Sequence, residues 1–176
     1  ADVVAQAVDE MQAMAADRNI QLLVSPLDIE LHIDPDKIIQ TIANLLSNAI
    51  KFSPVNSTVD ISAQQIDYAK IAEIAEDLTQ KGQLAIQSGL EASESLLLIQ
   101  VKDRGRGIPE DKLEAIFDQF KQLNTSDNDH QGGTGLGLAI CRSIVQQHGG
   151  EIWAQSERSS ARKAGSTVLF TLPIEP

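Results

Sequence analysis

Apolar residues recur at three- and four-residue spacings in some stretches of the chain and alternate or run unbroken in several shorter ones. Val4, Val8, Met11 and Ala15 trace one face of a helix over Asp2 to Ala16, with Asp2 placed to cap it. Ile38, Ile39, Ile42, Leu45, Leu46, Ala49 and Ile50 give a wider apolar face to a long helix that Asp34-Pro35 opens and Ser53-Pro54 stops. Leu136 to His148 is predicted as a helix, and Lys112 to Phe120 as a shorter one. Ile20 to Val24 and Ile29 to Ile33, either side of Ser25-Pro26, read as two strands about a tight connection. Thr58 to Ser62, Leu96 to Val101, Glu151 to Gln155 and Thr167 to Leu172 read as further strands, the last two paired. Asn124 to Gly133 reads as a polar, mobile loop. The stretch from about 63 to 95 is too long for a hairpin, and Ile71, Ile74, Ala75 and Leu78 predict a short helix within it that ends near Lys81-Gly82. Helices and strands are mixed without strict alternation. The expected fold class is therefore α/β (α+β): a two-layer sandwich with a mixed, mostly antiparallel sheet and helices on one face.

Composition narrows the class of function. With 176 residues, 42% of them hydrophobic, the chain can bury the core of a single domain, so collagen, a disulfide scaffold and general disorder are excluded. Fourteen basic residues against 25 acidic ones leave a net charge of −11, so a nucleic acid would meet a repulsive average field and a polyanion needs a locally positive site. The lone cysteine, Cys141, cannot form an internal disulfide, no apolar run approaches the ~20 residues of a membrane span, and no signal-peptide pattern opens the chain. The expectation is a cytoplasmic domain without nucleic-acid or membrane contact of its own, whose parent protein could still be membrane-anchored.

Three places carry candidate chemistry. Asn44, Asn48 and Lys51 share one face of the long helix. A polar stripe is usually a solvent face, yet two asparagines in mid-helix are poor helix formers and invite a specific role. In Asp103-Arg104-Gly105-Arg106-Gly107-Ile108-Pro109, two glycines after a strand let the backbone approach a flat ligand, although such a turn is often only a turn. Gly133, Gly135 and Gly137 ahead of a helix leave amide N–H groups unobstructed at a positive helix end, which suits phosphate. No Gly-Lys-Ser/Thr follows and no β-α-β unit surrounds them, so neither a Walker loop nor a dinucleotide fingerprint is present. Phe117 and Phe120, at i and i+3, can lie on one helical face, as core aromatics do. His32, His130 and His148 have no ligand-spaced companions and default to structural or surface roles, and Cys141 falls on the apolar side of its helix.

Asn44 to Phe52, Asp103 to Pro109, Phe117 to Phe120 and Gly132 to Leu138 closely resemble, in order, the N box, first glycine box, F box and second glycine box of the catalytic ATP-binding domain of sensor histidine kinases. Those domains belong to the GHKL group with DNA gyrase, heat-shock chaperones and mismatch-repair ATPases. The resemblance implies one domain over residues 1–176, with an insertion at about 63–95 and an ATP lid at about 121–133. It implies that Asn48 holds Mg²⁺ through its amide oxygen, that Lys51 contacts phosphate and that Asn44 supports the same site. Asp103 would accept from the adenine amine, with Gly105 and Gly107 making room. Thr167 resembles the family threonine that shares a water with adenine, and Ser166 is its neighbour. Phe52, Ile108, Phe120, Gly133, Thr134, Gly135, Leu136, Gly137 and Leu138 complete the implied ATP contacts. Phe117 and Phe120 would anchor the lid and help it dock.

In the hydrolytic members the residue resembling Asn44 is a glutamate base, a role that an amide cannot take. The implied reaction is transfer of the ATP γ-phosphoryl group to a histidine on a separate dimerisation and phosphoacceptor domain of a homodimeric parent, with a response regulator downstream. No histidine here lies in a phosphoacceptor pattern. A GHKL ATPase and a non-catalytic nucleotide-binding or docking module are the alternatives.

Overall fold

The computed structural model describes residues 1–25, 27–67, 70–71, 95–118, 136–158 and 164–174. Helix α1 spans Asp2–Asp17, β1 Gln21–Ser25, α2 Pro35–Phe52, β2 Thr58–Asp67, β3 Ser95–Lys102, α3 Gly137–Gln147, β4 Ile152–Arg158 and β5 Ala164–Pro173. The strands form one sheet in the order β1-β2-β3-β5-β4, parallel between β1 and β2 and antiparallel elsewhere. This is the mixed, mostly antiparallel sheet expected from the sequence.

One face of the sheet carries the helices. Val59, Ile61, Leu97, Ile99, Val101, Phe170 and Leu172 meet the apolar faces of α1, α2 and α3, and α2 lies between the other two helices. Asp34 caps α2, its side chain accepting from the Lys37 N–H, and Pro35 opens the first turn. The other face bears a smaller cluster of Ile66, Ile71, Leu96, Leu98, Trp153 and Leu169. Along β3 the two sets alternate, Leu96 and Leu98 on one side and Leu97, Ile99 and Val101 on the other, as the strand period of two requires.

Several expectations are corrected. Ala1, not Asp2, is the cap position of α1, and Asp2 stands in its first turn. Ile29 to Ile33 is not a strand. Leu27, Ile29, Leu31 and Ile33 are half-buried against the core while Asp28, Glu30 and His32 alternate outward, so an extended connection along the core edge has a strand's periodicity without a ladder. The helix expected over Lys112 to Phe120 is instead two 3₁₀ turns, Glu110–Lys112 and Ala115–Phe117, after which the chain extends at Asp118. β2 continues to Asp67 and pairs with β3 back to Ser95, so residues 63–67 lie in the ladder. Lys70 and Ile71 are helical; the remainder of the helix expected around Ile74, Ala75 and Leu78, and the polar loop at Asn124 to Gly133, lie outside the described residues.

Candidate nucleotide site

The end of β3, the C-terminal end of α2 and the start of β5 meet at Asp103. This side chain is buried, and its Oδ1 accepts from the Gly105 N–H at 2.7 Å and the Ser166 N–H at 3.2 Å. The Asp103 N–H donates to the Ser166 carbonyl at 2.8 Å, so turn and strand hold each other at both ends. Burial pushes the Asp103 carboxyl above its ordinary value, while the two amides and the Ser166 hydroxyl pull the other way. Both amides use Oδ1, which leaves neither of them on Oδ2.

The glycines of the turn do different jobs. A Cβ on Gly105 would stand 2.7 Å from the Phe52 carbonyl oxygen and 2.9 Å from Asp103 Oδ1, so only glycine lets the turn lie on the end of α2. Gly107 adopts φ +75°, a conformation that favours glycine. Two supports were not anticipated from the sequence. The Ile108 N–H donates to Ser156 Oγ at 2.8 Å, and that hydroxyl donates to the Gly165 carbonyl at 3.3 Å. Gly165 itself allows close approach, since a Cβ there would meet the Asp103 carbonyl oxygen at 2.5 Å. A serine in mid-strand gives no local signal of such a task.

Thr167 requires correction. It pairs with Lys102 and Gln155 on the sheet face that carries Leu98 and Trp153, whereas Ser166 reaches Asp103 on the helix side. With a side-chain period of two, the adjacent residue faces the site.

Asn44, Asn48 and Lys51 are all half-buried on α2, and Phe52 at its end is exposed. The Lys51 ammonium and the Arg106 guanidinium lie 5.7 Å and 5.8 Å from the centroid of the Phe52 ring. Together they supply a local positive field in an acidic chain. Arg106, between the two glycines, drew no attention in the sequence. The C-terminus of α2 is tied down by Arg18 Nη2, which donates to the Ser53 carbonyl at 3.0 Å, and by buried Ser53 Oγ, which accepts from the Arg104 N–H at 3.4 Å.

Asn44 points at α3. A Cβ on Gly137 would lie 3.9 Å from the Asn44 carboxamide, an ordinary contact. Burial pushes the neighbouring Cys141 thiol up to about 12, against a hydrogen bond from Asn44, so Cys141 is an inert core residue. Leu136, Gly137 and Leu138 stand at the start of α3, half-buried, with no side-chain cap among the described residues. Phe117 is buried in the main core. Phe120, Gly133, Thr134, Gly135 and the expected lid lie outside the described residues.

A profile of histidine kinase-, DNA gyrase B-, and HSP90-like ATPases matches residues 33–176. The chain belongs to this ATPase family. Among its relatives, the sensor histidine kinase WalK of Bacillus subtilis is 38% identical over 148 residues, covering 84% of this chain and 20% of WalK. The autoinducer 2 sensor kinase/phosphatase LuxQ of Vibrio vulnificus is 35% identical over 150 residues, covering 85% of this chain and 14% of LuxQ. The chain thus spans a fifth or less of these curated relatives. In fold, this ATPase-family domain resembles the mycobacterial sensor histidine kinase MprB, with a TM-score of 0.74 at 22% identity over 99% of this chain and 94% of that one. It resembles full-length ShkA, solved with AMPPNP, with a TM-score of 0.67 at 22% identity over 98% of this chain and 29% of that one.

No trio of His, Cys, Asp or Glu able to hold a metal occurs among the described residues, and no helix there is long and apolar enough to cross a membrane. The donor set on α2 is amide oxygen. An amide oxygen is a hard donor of the kind that suits a magnesium ion taking most of its shell from water and phosphate oxygens.

Proposed function

We propose that this domain is the catalytic and ATP-binding part of a two-component sensor histidine kinase, binding Mg·ATP and presenting its γ-phosphoryl group to a histidine on a separate dimerisation and phosphoacceptor domain. The observation that carries the reading is the buried Asp103 carboxylate, held at one oxygen by two main-chain amides beside a turn that glycine keeps open. A carboxylate fixed in this way accepts from the exocyclic amine of adenine. Guanine offers a carbonyl at that place, which leaves two acceptors facing each other and a buried group unpaired.

Each residue then has a task. Asp103 and Ser166 fix the base, Gly105 and Gly107 admit it, and Lys51 and Arg106 neutralise phosphate charge near the end of α2. The first-turn amides of α3, around Gly137, face the phosphate chain, and Gly133 and Gly135 extend that cradle in the sequence. Asn48 would hold a magnesium ion through its amide oxygen, and that ion would supply neutralisation of phosphate charge. The chain's contribution is positioning and charge neutralisation. Asn44, an amide lodged against α3, is no general base toward water, so efficient hydrolysis is not expected. The base that assists the acceptor histidine belongs to the partner domain.

On this reading the parent is a homodimer that passes its phosphoryl group to a response regulator, and the domain works in the cytoplasm, whether or not the parent is membrane-anchored. The names of WalK and LuxQ and the AMPPNP complex of ShkA support it. Calorimetric titration with ATP and GTP, each with and without Mg²⁺, tests it. Tight, Mg²⁺-dependent binding of ATP alone is expected, followed by slow labelling of a separately expressed phosphoacceptor segment from radiolabelled ATP. Equal affinity for GTP removes the base assignment. Rapid turnover of ATP by the isolated domain favours the ATPase alternative, and absence of any nucleotide binding favours the docking module.

A further inference from the structure

Helices α2 and α3 run antiparallel in a register marked at three levels. Gly137 faces Asn44, the Cys141 thiol donates to the Thr41 carbonyl at 3.7 Å, and His148 Nε2 meets the Asp34 N–H at 3.1 Å. Seven residues back along α2, from Thr41 to Asp34, match seven forward along α3 and its cap, from Cys141 to His148. The upper level belongs to the candidate nucleotide site. The middle one is a thiol contact, the weakest kind of hydrogen bond. The lowest is the one firm polar tie among the three.

The chemistry of that tie fixes the state of the ring. A main-chain N–H can only donate and a carbonyl can only accept. His148 Nδ1, at 2.8 Å from the Ile144 carbonyl, therefore carries the proton, and Nε2 offers its lone pair to Asp34. The end of α3 does not need this ring as a cap. The His148 N–H reaches Ile144 and Val145, the Gly149 N–H reaches Gln146, and Gly149 takes φ +73°. Asp34, by contrast, has its carboxylate on the Lys37 N–H, its carbonyl on the Ile38 N–H and its own N–H on His148. Two of these bonds lie within the first turn of α2, and the third ties that turn to α3.

We infer that His148 is a positioning residue for the nucleotide site, setting the axial register of α3 on α2 and with it the placement of the α3 N-terminus relative to Asn44, Asn48 and Lys51. The inference rests on the nucleotide reading given above. The phosphate-facing amides and the metal- and phosphate-binding side chains stand on different helices, so a slip between these helices separates groups that must act on one ligand. His148 does this without touching nucleotide, from the far end of the helix pair.

Side-chain length separates the two nitrogens. A glutamine carboxamide has the reach of Nε2 and can accept from Asp34, whereas asparagine stops near Nδ1 and can serve only Ile144. His148→Gln is expected to bind Mg·ATP within about twofold of wild type, and His148→Asn and His148→Ala to bind it roughly three- to tenfold more weakly. Amide and side-chain NMR signals of Gly137 and Asn44 in the nucleotide-free protein should move in His148→Asn and stay in place in His148→Gln. A role confined to capping α3 predicts the reverse order, with asparagine the better substitute. Unmoved Gly137 and Asn44 signals in folded His148→Asn, wild-type affinity in that variant, or imidazole ¹⁵N shifts placing the proton on Nε2 each overturn the inference. If His148→Ala fails to fold, the asparagine and glutamine pair still decides. Signals that move as expected in a wild-type background unable to bind ATP overturn the nucleotide reading and leave the register intact.

Discussion

The turn from Asp103 to Ile108 and the polar face of α2 contribute to the same site by opposite means. The turn is built by direct bonds: two amides on Asp103 Oδ1, Ser156 under Ile108, and backbone passing so close at Gly105 and Gly165 that a Cβ does not fit. The α2 face has little of this. Asn44, Asn48 and Lys51 are half-buried groups on a regular helix whose place is set by packing on its apolar side and by ties at its two ends. The first region is pre-organised by its own hydrogen bonds. The second inherits its geometry from the core. Damage to the turn should therefore cost folding and binding together, whereas damage to the α2 face should cost binding alone.

The largest effect is expected at Gly105. Gly105→Ala forces a methyl group against the Phe52 carbonyl and Asp103, and should destabilise the fold by about 1–3 kcal/mol while abolishing ATP binding. Denaturant unfolding and calorimetry check the two losses. A stable, binding-competent Gly105→Ala protein would end the distinction between the two regions.

Next comes Asp103→Ala, which should weaken ATP by about 1–3 kcal/mol and erase the preference over GTP. The same group gives a pH dependence. Because its carboxyl is raised and the adenine amine needs the ionised form, affinity is complete above the raised pKa and lost as pH falls through it, at higher pH than for an exposed aspartate. Protonation also relieves a buried charge, so its contribution to folding moves the other way. Titrations of wild type and Asp103→Asn at a series of pH values should show the decline only in the former.

Asn48→Ala sharpens the comparison from the other side. Binding should lose its Mg²⁺ dependence, and stability should stay within about 0.5 kcal/mol of wild type or rise slightly, since alanine is the better helix former. A large loss of stability would show that α2's polar face is structural. The smallest effect is expected at Gly137, where a Cβ finds its nearest neighbour among the described residues at 3.9 Å. Gly137→Ala should stabilise the nucleotide-free domain by a few tenths to about 1 kcal/mol in chemical denaturation. The contrast with Gly105, the same substitution with opposite sign, measures how much more closely the backbone is approached at the turn than at the start of α3, where Asn44 of α2 is the neighbour.

The α2 face was legible in the sequence because its information is local: helical spacing alone brings Asn44, Asn48 and Lys51 to one side. Asp103 and its glycines were legible as a turn after a strand. What sequence missed depends on distant pairing. Whether Ser166 or Thr167 faces the site is decided by the ladder with β3 and β4, and a one-residue difference flips the side chain. His148 meets its partner 114 residues away, and no local pattern announces it. The periodicity of Ile29 to Ile33 was real and its inference wrong, since alternating burial arises wherever an extended chain skirts a core, with or without hydrogen-bonded neighbours. The short 3₁₀ turns around Leu113 and Phe117 bury one apolar residue in four, which is the signature that a short helix would also leave.

Trp153, the only tryptophan, gives the molecule a built-in optical label. Its indole is 2% exposed and lies among Leu96, Leu98 and Leu169, with the sheet between it and the three helices. Light emitted there reports whether the far side of the sheet is dry. Emission should shift to the red when β3, β4 and β5 come apart and stay nearly constant as ligand fills the opposite side, so one cuvette can separate loss of structure from occupancy of the site.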